Sequence, residues 1–185
     1  MPIAKVEDMV KHILIAGMGN RFSGDDGVGP HIICRLEALY RFADGVELAD
    51  LGTPGMDLAF ELSGYDAAIL VDAVSDGKSA GSVSRYRKEE ILRNGAELMR
   101  LDTHSLALAE SLLIADLAAQ APKDLLLIGV TGERFDFSPG LSEPVRNAVN
   151  QATCLVLAEL DRLGVRYWKK DLPAPPRTWW EPPIK

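Results

Sequence analysis

The sequence predicts a single α/β domain of three layers, with a twisted, mostly parallel sheet of about five strands between helices on both faces. Short apolar runs of the length of buried strands alternate with segments of helical periodicity, which is typical of this fold class. A chain of 185 residues with 47% hydrophobic content is also long enough to bury one substantial core.

Each element is predicted from local composition. Short runs that are mostly apolar predict strands at residues 12–17, 46–51, 67–73 and 125–130, and a more polar run predicts a strand at 81–87. Helical periodicity predicts helices that begin at Pro30 and that span residues 54–62, 105–119 and 144–163. The run 67–73 is the clearest buried strand, whereas 81–87 is polar enough for a sheet edge.

The composition changes after Gly164, which divides the chain into a domain of residues 1–164 and a tail of residues 165–185. The tail holds all three tryptophans and five of the eleven prolines. Such a segment cannot form a regular helix or a central strand. We expect an extended appendage that either packs over its own domain or docks a partner.

Charge and composition exclude several classes of function. The net charge is −7, and the densest basic segment, 85–88, is followed at once by two glutamates, so we expect a solvated strand end and no nucleic-acid partner. No window has the roughly 18 apolar residues of a membrane span, and no signal peptide opens the chain, so we expect a cytoplasmic protein without a membrane partner. Cys34 and Cys154 form no CxxC pair and are expected to be buried, reduced thiols.

Acidic residues follow three of the predicted strands. Asp25 and Asp26 lie after the first strand, Asp50 ends the second, and Asp72 ends the third, while His104 stands at a predicted helix start. Ligands of open α/β sheets bind at the carboxyl ends of the strands, where these segments can converge. Two carboxylates and an imidazole would accept Ni²⁺, Zn²⁺, Mn²⁺ or Fe²⁺ and leave a coordination position open.

Each of these residues also has a simpler interpretation. Asp25 or Asp26 can cap the following helix, Asp72 can accept backbone N–H groups, and His104 can be a helix-start residue. Asp50 can act as a general base, support a metal ligand or stabilise a turn. His31 is expected on a helix surface.

Five sequence blocks, in order, resemble the maturation proteases of nickel–iron hydrogenases. They are Ile13-Leu-Ile-Ala-Gly-Met-Gly-Asn20 with Gly24-Asp-Asp-Gly-Val-Gly29, Asp50-Leu-Gly-Thr-Pro-Gly-Met56, Leu70-Val-Asp-Ala73, Asp102-Thr-His-Ser-Leu106, and Leu127-Ile-Gly-Val130 with Gly140-Leu-Ser142. The resemblance covers residues 12–163, and the tail matches none of these blocks.

The resemblance implies both a site and a function. It implies that Asp26, Asp72 and His104 contact a metal, with Asp25 in reserve, and that Asp50 is a further acid at the site. It implies an endopeptidase that removes the C-terminal extension of a nickel-loaded large-subunit precursor, with the nickel supplied by that precursor and no organic cofactor. Either the nickel polarises the scissile carbonyl or activates water, or Asp26, Asp72 or Asp50 acts as general base.

Two other functions stay open on the sequence. A non-catalytic metal chaperone or assembly scaffold could use the same fold, since fold does not fix activity. A dinucleotide-binding oxidoreductase is suggested by Gly17-Met-Gly19, but Phe22 stands where the fingerprint requires glycine.

Overall fold

A computed structural model describes residues 11–98, 103–118, 120–178 and 180, with the backbone alone for residues 94–98 and 103–107. The strands within these ranges are β1 (Ile13–Met18), β2 (Tyr40–Phe42), β3 (Val46–Gly52), β4 (Ala67–Val74), β5 (Val83–Arg87), β6 (Asp124–Thr131) and β7 (Tyr167–Lys169). The α-helices are α1 (Val28–Leu39), α2 (Leu58–Glu61), α3 (Lys88–Leu98), α4 (Thr103–Leu117) and α5 (Glu143–Leu163).

The central sheet has five strands in the order β3-β1-β4-β6-β5. All neighbouring pairs are parallel except β5 and β6, which makes β5 an antiparallel edge strand. The chain leaves β1 toward β3 and leaves β4 toward β5 and β6, so the connections diverge between β1 and β4. A crevice at the carboxyl ends of the strands is expected at such a point.

Two apolar cores lie on opposite faces of the sheet, because successive strand residues point to opposite sides. On one face, Ile13, Ile15 and their counterparts in β4 and β6 pack against α1 and α5. On the other face, Leu14 and Leu70 pack with residues of α2, α3 and α4. The predicted class, a mostly parallel sheet between helices, is confirmed.

Two glycines let α1 approach the sheet closely. A Cβ atom added at Gly17 would lie 2.4 Å from the carbonyl oxygen of Gly29, and one added at Gly29 would lie 2.3 Å and 2.5 Å from the carbonyl oxygens of Met18 and Val71. Backbone atoms cannot move aside as a flexible side chain can. The first turn of α1 therefore sits directly against β1 and β4, at the edge where the crevice opens.

Several local predictions were wrong. The basic segment 85–88 does end a strand, since β5 ends at Arg87, but helix α3 begins at once at Lys88 and was not predicted. The thiols are free as expected, but Cys154 is exposed and Cys34 only partly buried. His31 is buried instead of exposed, because Trp180 of the tail packs edge-on against it with ring centroids 5.4 Å apart.

The described part of the tail lies against the domain. Its strand β7 pairs antiparallel with β2, which forms a separate two-stranded sheet. Within the described ranges, no helix combines the length and apolar character needed to cross a bilayer.

Candidate active site

A pocket opens at the carboxyl edge of the sheet, where β1 and β4 separate. The space within it is about 330 Å³, part of which is open solvent. Its lining includes Asp26 and Asp72, the turn that follows β3, and apolar side chains of α2 and α4; the lining residues are Met18, Gly19, Asp26, Gly52, Thr53, Pro54, Gly55, Leu58, Asp72 and Leu108. Two of the predicted site residues thus share one cavity.

The connection between β1 and α1 holds Asp26 at the pocket. This connection forms a short 3-10 turn, Gly24–Gly27, in which Asp26 is 8% exposed. The backbone N–H of Asn20 donates to Asp26 Oδ2 over 2.6 Å. Gly19 has a φ of +109°, and a Cβ atom there would lie 1.9 Å from the carbonyl oxygen of Asp26. A glycine is therefore required for the loop to fold back on Asp26.

Asp72 lies on β4 just beyond its last pairing with β1. The pairing of these strands ends at Gly17 and Val71, while Asp72 continues to pair with Gly129 of β6. Strand alternation puts Asp72 on the same face as Leu70, toward the pocket. Asp72 Oδ1 also accepts the N–H of Ala73 over 2.8 Å.

His104 lies in the first turn of α4, but its side chain is outside the described part of the structure. Its backbone position is one helical turn before Leu108, which lines the pocket. Among the described side chains, which do not include that of His104, no three His, Cys, Asp or Glu residues lie together as a metal site. Of the three predicted metal ligands, the side chains of Asp26 and Asp72 are described and both line the pocket.

Asp25, the neighbour of Asp26, points into the protein. It is fully buried, and its carboxylate accepts hydrogen bonds from the backbone N–H groups of Glu133, Arg134 and Ser142 and from the Ser142 hydroxyl, over 2.7 to 2.9 Å. These contacts tie the loop after β1 to the loop after β6. The geometry favours Asp26 over Asp25 as a ligand, because Asp25 is enclosed by donors of its own chain.

Asp50 lies at the same edge of the sheet but not in the pocket lining. In β3, Ala49 and Leu51 pack toward the face with the pocket, so alternation turns Asp50 toward the opposite face. There its carboxylate pairs with Arg21 and accepts the N–H of Gly52 over 3.0 Å. The sequence placed Asp50 at the correct edge, but no pattern in it pointed to Arg21.

A second polar cluster, missed by sequence reasoning, lies beyond the end of β4. Asp76 accepts hydrogen bonds from Lys78, Ser84, Tyr86 and Thr131. Burial acts to raise the pKa of the Asp76 carboxyl, but these donors outweigh it and hold the pKa well below its usual range. Lys78 Nζ also lies 2.6 Å from Ser84 Oγ, which is the spacing of a serine–lysine dyad.

The ion pair between Lys78 and Asp76 argues against such a dyad. The hydrogen bond to Asp76 raises the pKa of the Lys78 ammonium, against a smaller lowering by burial. A lysine that retains its proton cannot take one from Ser84. The cluster therefore ties β4, β5 and β6 together, and Asp26 and Asp72 are the carboxylates that line the described pocket.

Comparison with known proteins identifies the family. The profile of the hydrogenase maturation proteases matches residues 30–159. The hydrogenase 2 maturation protease of Escherichia coli strain K12 is 34% identical over 154 residues, which cover 83% of this chain and 93% of that protein. The chain belongs to the hydrogenase maturation protease family.

Two further similarities agree with this membership. The hydrogenase expression/formation protein HupM of Azotobacter chroococcum mcd 1 is 38% identical over 156 residues, or 83% of this chain and 74% of that protein. The structure of the hydrogenase maturating endopeptidase HybD from E. coli superposes with a TM-score of 0.80 at 31% identity, covering 86% of this chain and 98% of HybD.

As a hydrogenase maturation protease, the chain is a hydrolase of the endopeptidase type. The family resemblance predicted from the five sequence blocks is thus confirmed, and enzymatic function is favoured over a non-catalytic scaffold.

Proposed function

We propose that this endopeptidase removes the C-terminal extension of a nickel-loaded hydrogenase large-subunit precursor and recognises the nickel that the precursor carries. The observation that carries the proposal is the convergence of Asp26 and Asp72 on one open pocket. Carboxylates in a proteolytic site can position water as the attacking group, and the described lining holds no serine or cysteine beside them.

The donor set suits a metal that belongs to the substrate. Two carboxylate oxygens and one imidazole nitrogen, from Asp26, Asp72 and His104, are acceptable to Ni²⁺ and leave coordination positions for ligands of the precursor. The pocket is open to solvent, so a metal held on another protein could enter it. We propose these three residues as the contacts to the precursor's nickel.

The chemistry follows from the contact between metal and carboxylates. Nickel held by these residues would polarise the scissile carbonyl. Water adds to the carbonyl carbon, the C–N bond breaks, and a proton from that water passes to the leaving amine. Asp26 and Asp72 hold the metal and the water in place, and the retained carboxyl end becomes the new C-terminus of the large subunit.

Asp50 has a different role in this proposal. Because its carboxylate holds Arg21 and the Gly52 N–H outside the pocket lining, we assign it to positioning the turn after β3. Asp50→Asn keeps an acceptor for Gly52, so we expect partial loss of cleavage, whereas Asp72→Asn removes activity. Equal and complete loss in both variants would instead support Asp50 as general base.

Exposed aromatic side chains beside the site support a protein substrate. Phe22, in the loop after β1, and Phe137, in the loop after β6, have ring centroids 6.4 Å apart, and Phe137 is 85% exposed. Phe135 in the same loop is 41% exposed. Grouped apolar surface of this kind marks protein–protein contact sites, and these loops rise from the same sheet edge as the pocket.

The test is a cleavage assay on the purified precursor. The nickel-loaded precursor and a nickel-free control are each incubated with the enzyme, and intact masses are measured. We expect loss of a C-terminal fragment from the loaded form only, and no loss with Asp26→Asn or Asp72→Asn. Asp44→Asn is the matched control, because Asp44 is exposed before β3, at the opposite end of that strand from the pocket.

Three outcomes would contradict parts of the proposal. Equal cleavage of the nickel-free precursor would remove the metal from recognition. Full cleavage by Asp72→Asn would remove that carboxylate from the site. Complex formation without cleavage by the wild-type protein would favour the scaffold function.

A further inference from the structure

The described part of the tail runs along α1 toward the pocket edge. It begins at β7, and the N–H of Lys170 then donates to the carbonyl oxygen of Leu39 at the end of α1. Further along, the Cys34 thiol donates to the carbonyl oxygen of Arg177 over 3.7 Å, and Trp180 reaches His31 near the start of α1. From Leu39 to His31 the helix rises about 12 Å, so the tail follows most of its length.

Trp180 is the anchor of this path. It is only 6% exposed, although it follows a proline-rich segment that forms no helix. Its ring contacts His31 on one side, and the guanidinium carbon of Arg21 lies 4.6 Å from its ring centroid. A guanidinium over an indole face at this distance is a favourable cation–π contact.

Arg21 connects the tail to the pocket wall. Its guanidinium contacts Trp180 and pairs with Asp50, and Asp50 Oδ1 accepts the N–H of Gly52. Gly52 in turn accepts the N–H of Gly19 over 2.7 Å. Both glycines line the pocket together with Asp26 and Asp72. The contacts form a continuous chain from Trp180 through Arg21 and Asp50 to the turn at Gly52.

We propose that Arg21 is a positioning residue for the endopeptidase reaction and that Trp180 of the tail holds it in place. The planar guanidinium can stack on the indole and bind the carboxylate at once, which an ammonium group cannot do equally well. The turn Gly52–Gly55 forms the wall of the pocket beside the two carboxylates, and both glycines have φ values near +55°. Arg21 and Asp50 fix the position of that turn. This inference rests on the proposed function.

The kinetic test compares variants along this chain of contacts on nickel-loaded precursor. We expect Trp180→Ala and Arg21→Ala each to lower kcat about tenfold with little change in KM, because the wall is displaced while the precursor still docks. The double variant should be no worse than Arg21→Ala, since both changes act through one contact. Trp180→Phe and Arg21→Lys should each retain part of the activity.

Trp168→Ala is the matched control. Trp168 belongs to the same tail but lies on β7, is 48% exposed and contacts Arg166. The Trp168→Ala variant should cleave the precursor at the wild-type rate. If Trp180 served stability alone, Trp180→Ala would lower Tm but cleave at the wild-type rate well below that temperature. That result, or additive losses in the double variant, would overturn the proposal.

A readout without substrate separates this inference from the proposed function. Burial and the nearby Glu37 raise the pKa of the Cys34 thiol, although Arg21 acts to lower it, and the thiol sits under the tail. In a Cys154→Ser background, Trp180→Ala should speed alkylation of Cys34 by iodoacetamide severalfold, and Trp168→Ala should not. Unchanged alkylation in Trp180→Ala would show that Trp180 does not hold the tail. If the wild-type protein fails to cleave, the proposed function fails, but this measurement still tests the Trp180 contact.

Discussion

At the scale of single residues, two adjacent aspartates have opposite surroundings. One is held by its own chain and stabilises the fold, and the other lines the pocket. Asp25 is enclosed by four donors of its own chain, whereas Asp26 accepts the Asn20 N–H and lines the pocket. The 3-10 turn between β1 and α1 makes this possible, because successive residues in a tight turn point in different directions.

Asp25→Ala should destabilise the protein by at least about 3 kcal/mol, because it leaves three buried backbone N–H groups without an acceptor. Urea denaturation followed by circular dichroism measures this change. Asp26→Ala is the paired comparison: it leaves the Asn20 N–H without its acceptor, so it should lose cleavage but only about 1 kcal/mol of unfolding free energy. Similar midpoints for the two variants would contradict the assignment.

The sequence predicted the sites of some residues and not of others. Asp26 and Asp72 were expected together because each follows a parallel strand, and the pocket brings them together. The prediction could not separate Asp25 from Asp26, since that depends on donors more than 100 positions away. It also could not see that Asp50 faces away from the pocket, because one residue of register decides the face.

At the scale of elements, the contact between α1 and the sheet fixes the distance between the two carboxylates. Asp26 lies two residues before the start of α1, and Asp72 follows Val71, whose carbonyl oxygen lies against Gly29. Because backbone meets backbone there, any displacement of α1 would also move Asp26 relative to Asp72.

Gly29→Ala should therefore cost at least about 2 kcal/mol of unfolding free energy and also reduce cleavage, since a Cβ atom would meet backbone atoms of Met18 and Val71. Chemical denaturation and the precursor assay measure the two effects. Glu37→Ala, an exposed change on the same helix, should alter neither by much. A fully stable Gly29→Ala protein would show that α1 can move away from the sheet without penalty.

The sequence pattern was informative for elements that bury an apolar face and uninformative for the others. Strands β1, β4 and β6 and helix α5 lie close to their predicted ranges because their periodicity follows from burial. The short strands β2 and β7 were not predicted, since three residues carry too little pattern and their pairing joins segments over 120 positions apart. Helix α3 was missed because its charged start resembled a solvated strand end.

At the scale of the whole molecule, an ion network around one buried glutamate joins the edge of the sheet to α5. Glu159 of α5, 6% exposed, accepts two hydrogen bonds from Arg87 of β5 over 2.6 and 2.9 Å, and two from Arg162 over 2.7 and 2.9 Å. Burial acts to raise the pKa of the Glu159 carboxyl, but the two arginines outweigh it and hold the pKa below its usual range.

This network predicts a loss of stability in acid. Because the folded pKa of Glu159 is lower than the unfolded one, its contribution is present above about pH 4.5 and is lost as the pH falls through the folded pKa. Glu159→Gln should lose about 1–3 kcal/mol at pH 7 and show a flatter fall of Tm between about pH 5 and 3. The control is Glu110→Gln, because Glu110 is exposed. The Tm of each variant is measured by calorimetry over that pH range.

The chain of contacts from Trp180 to Gly52 also has a thermodynamic consequence. Coupling between two sites is reciprocal. If packing of the tail stabilises the pocket turn, a ligand that stabilises this turn also stabilises the packing of the tail. A precursor that binds against Gly52 would therefore stabilise the packing of Trp180 on α1 and protect Cys34 from alkylation. Protection of one thiol, far along the helix from the scissile bond, would then measure substrate occupancy before any peptide is cut.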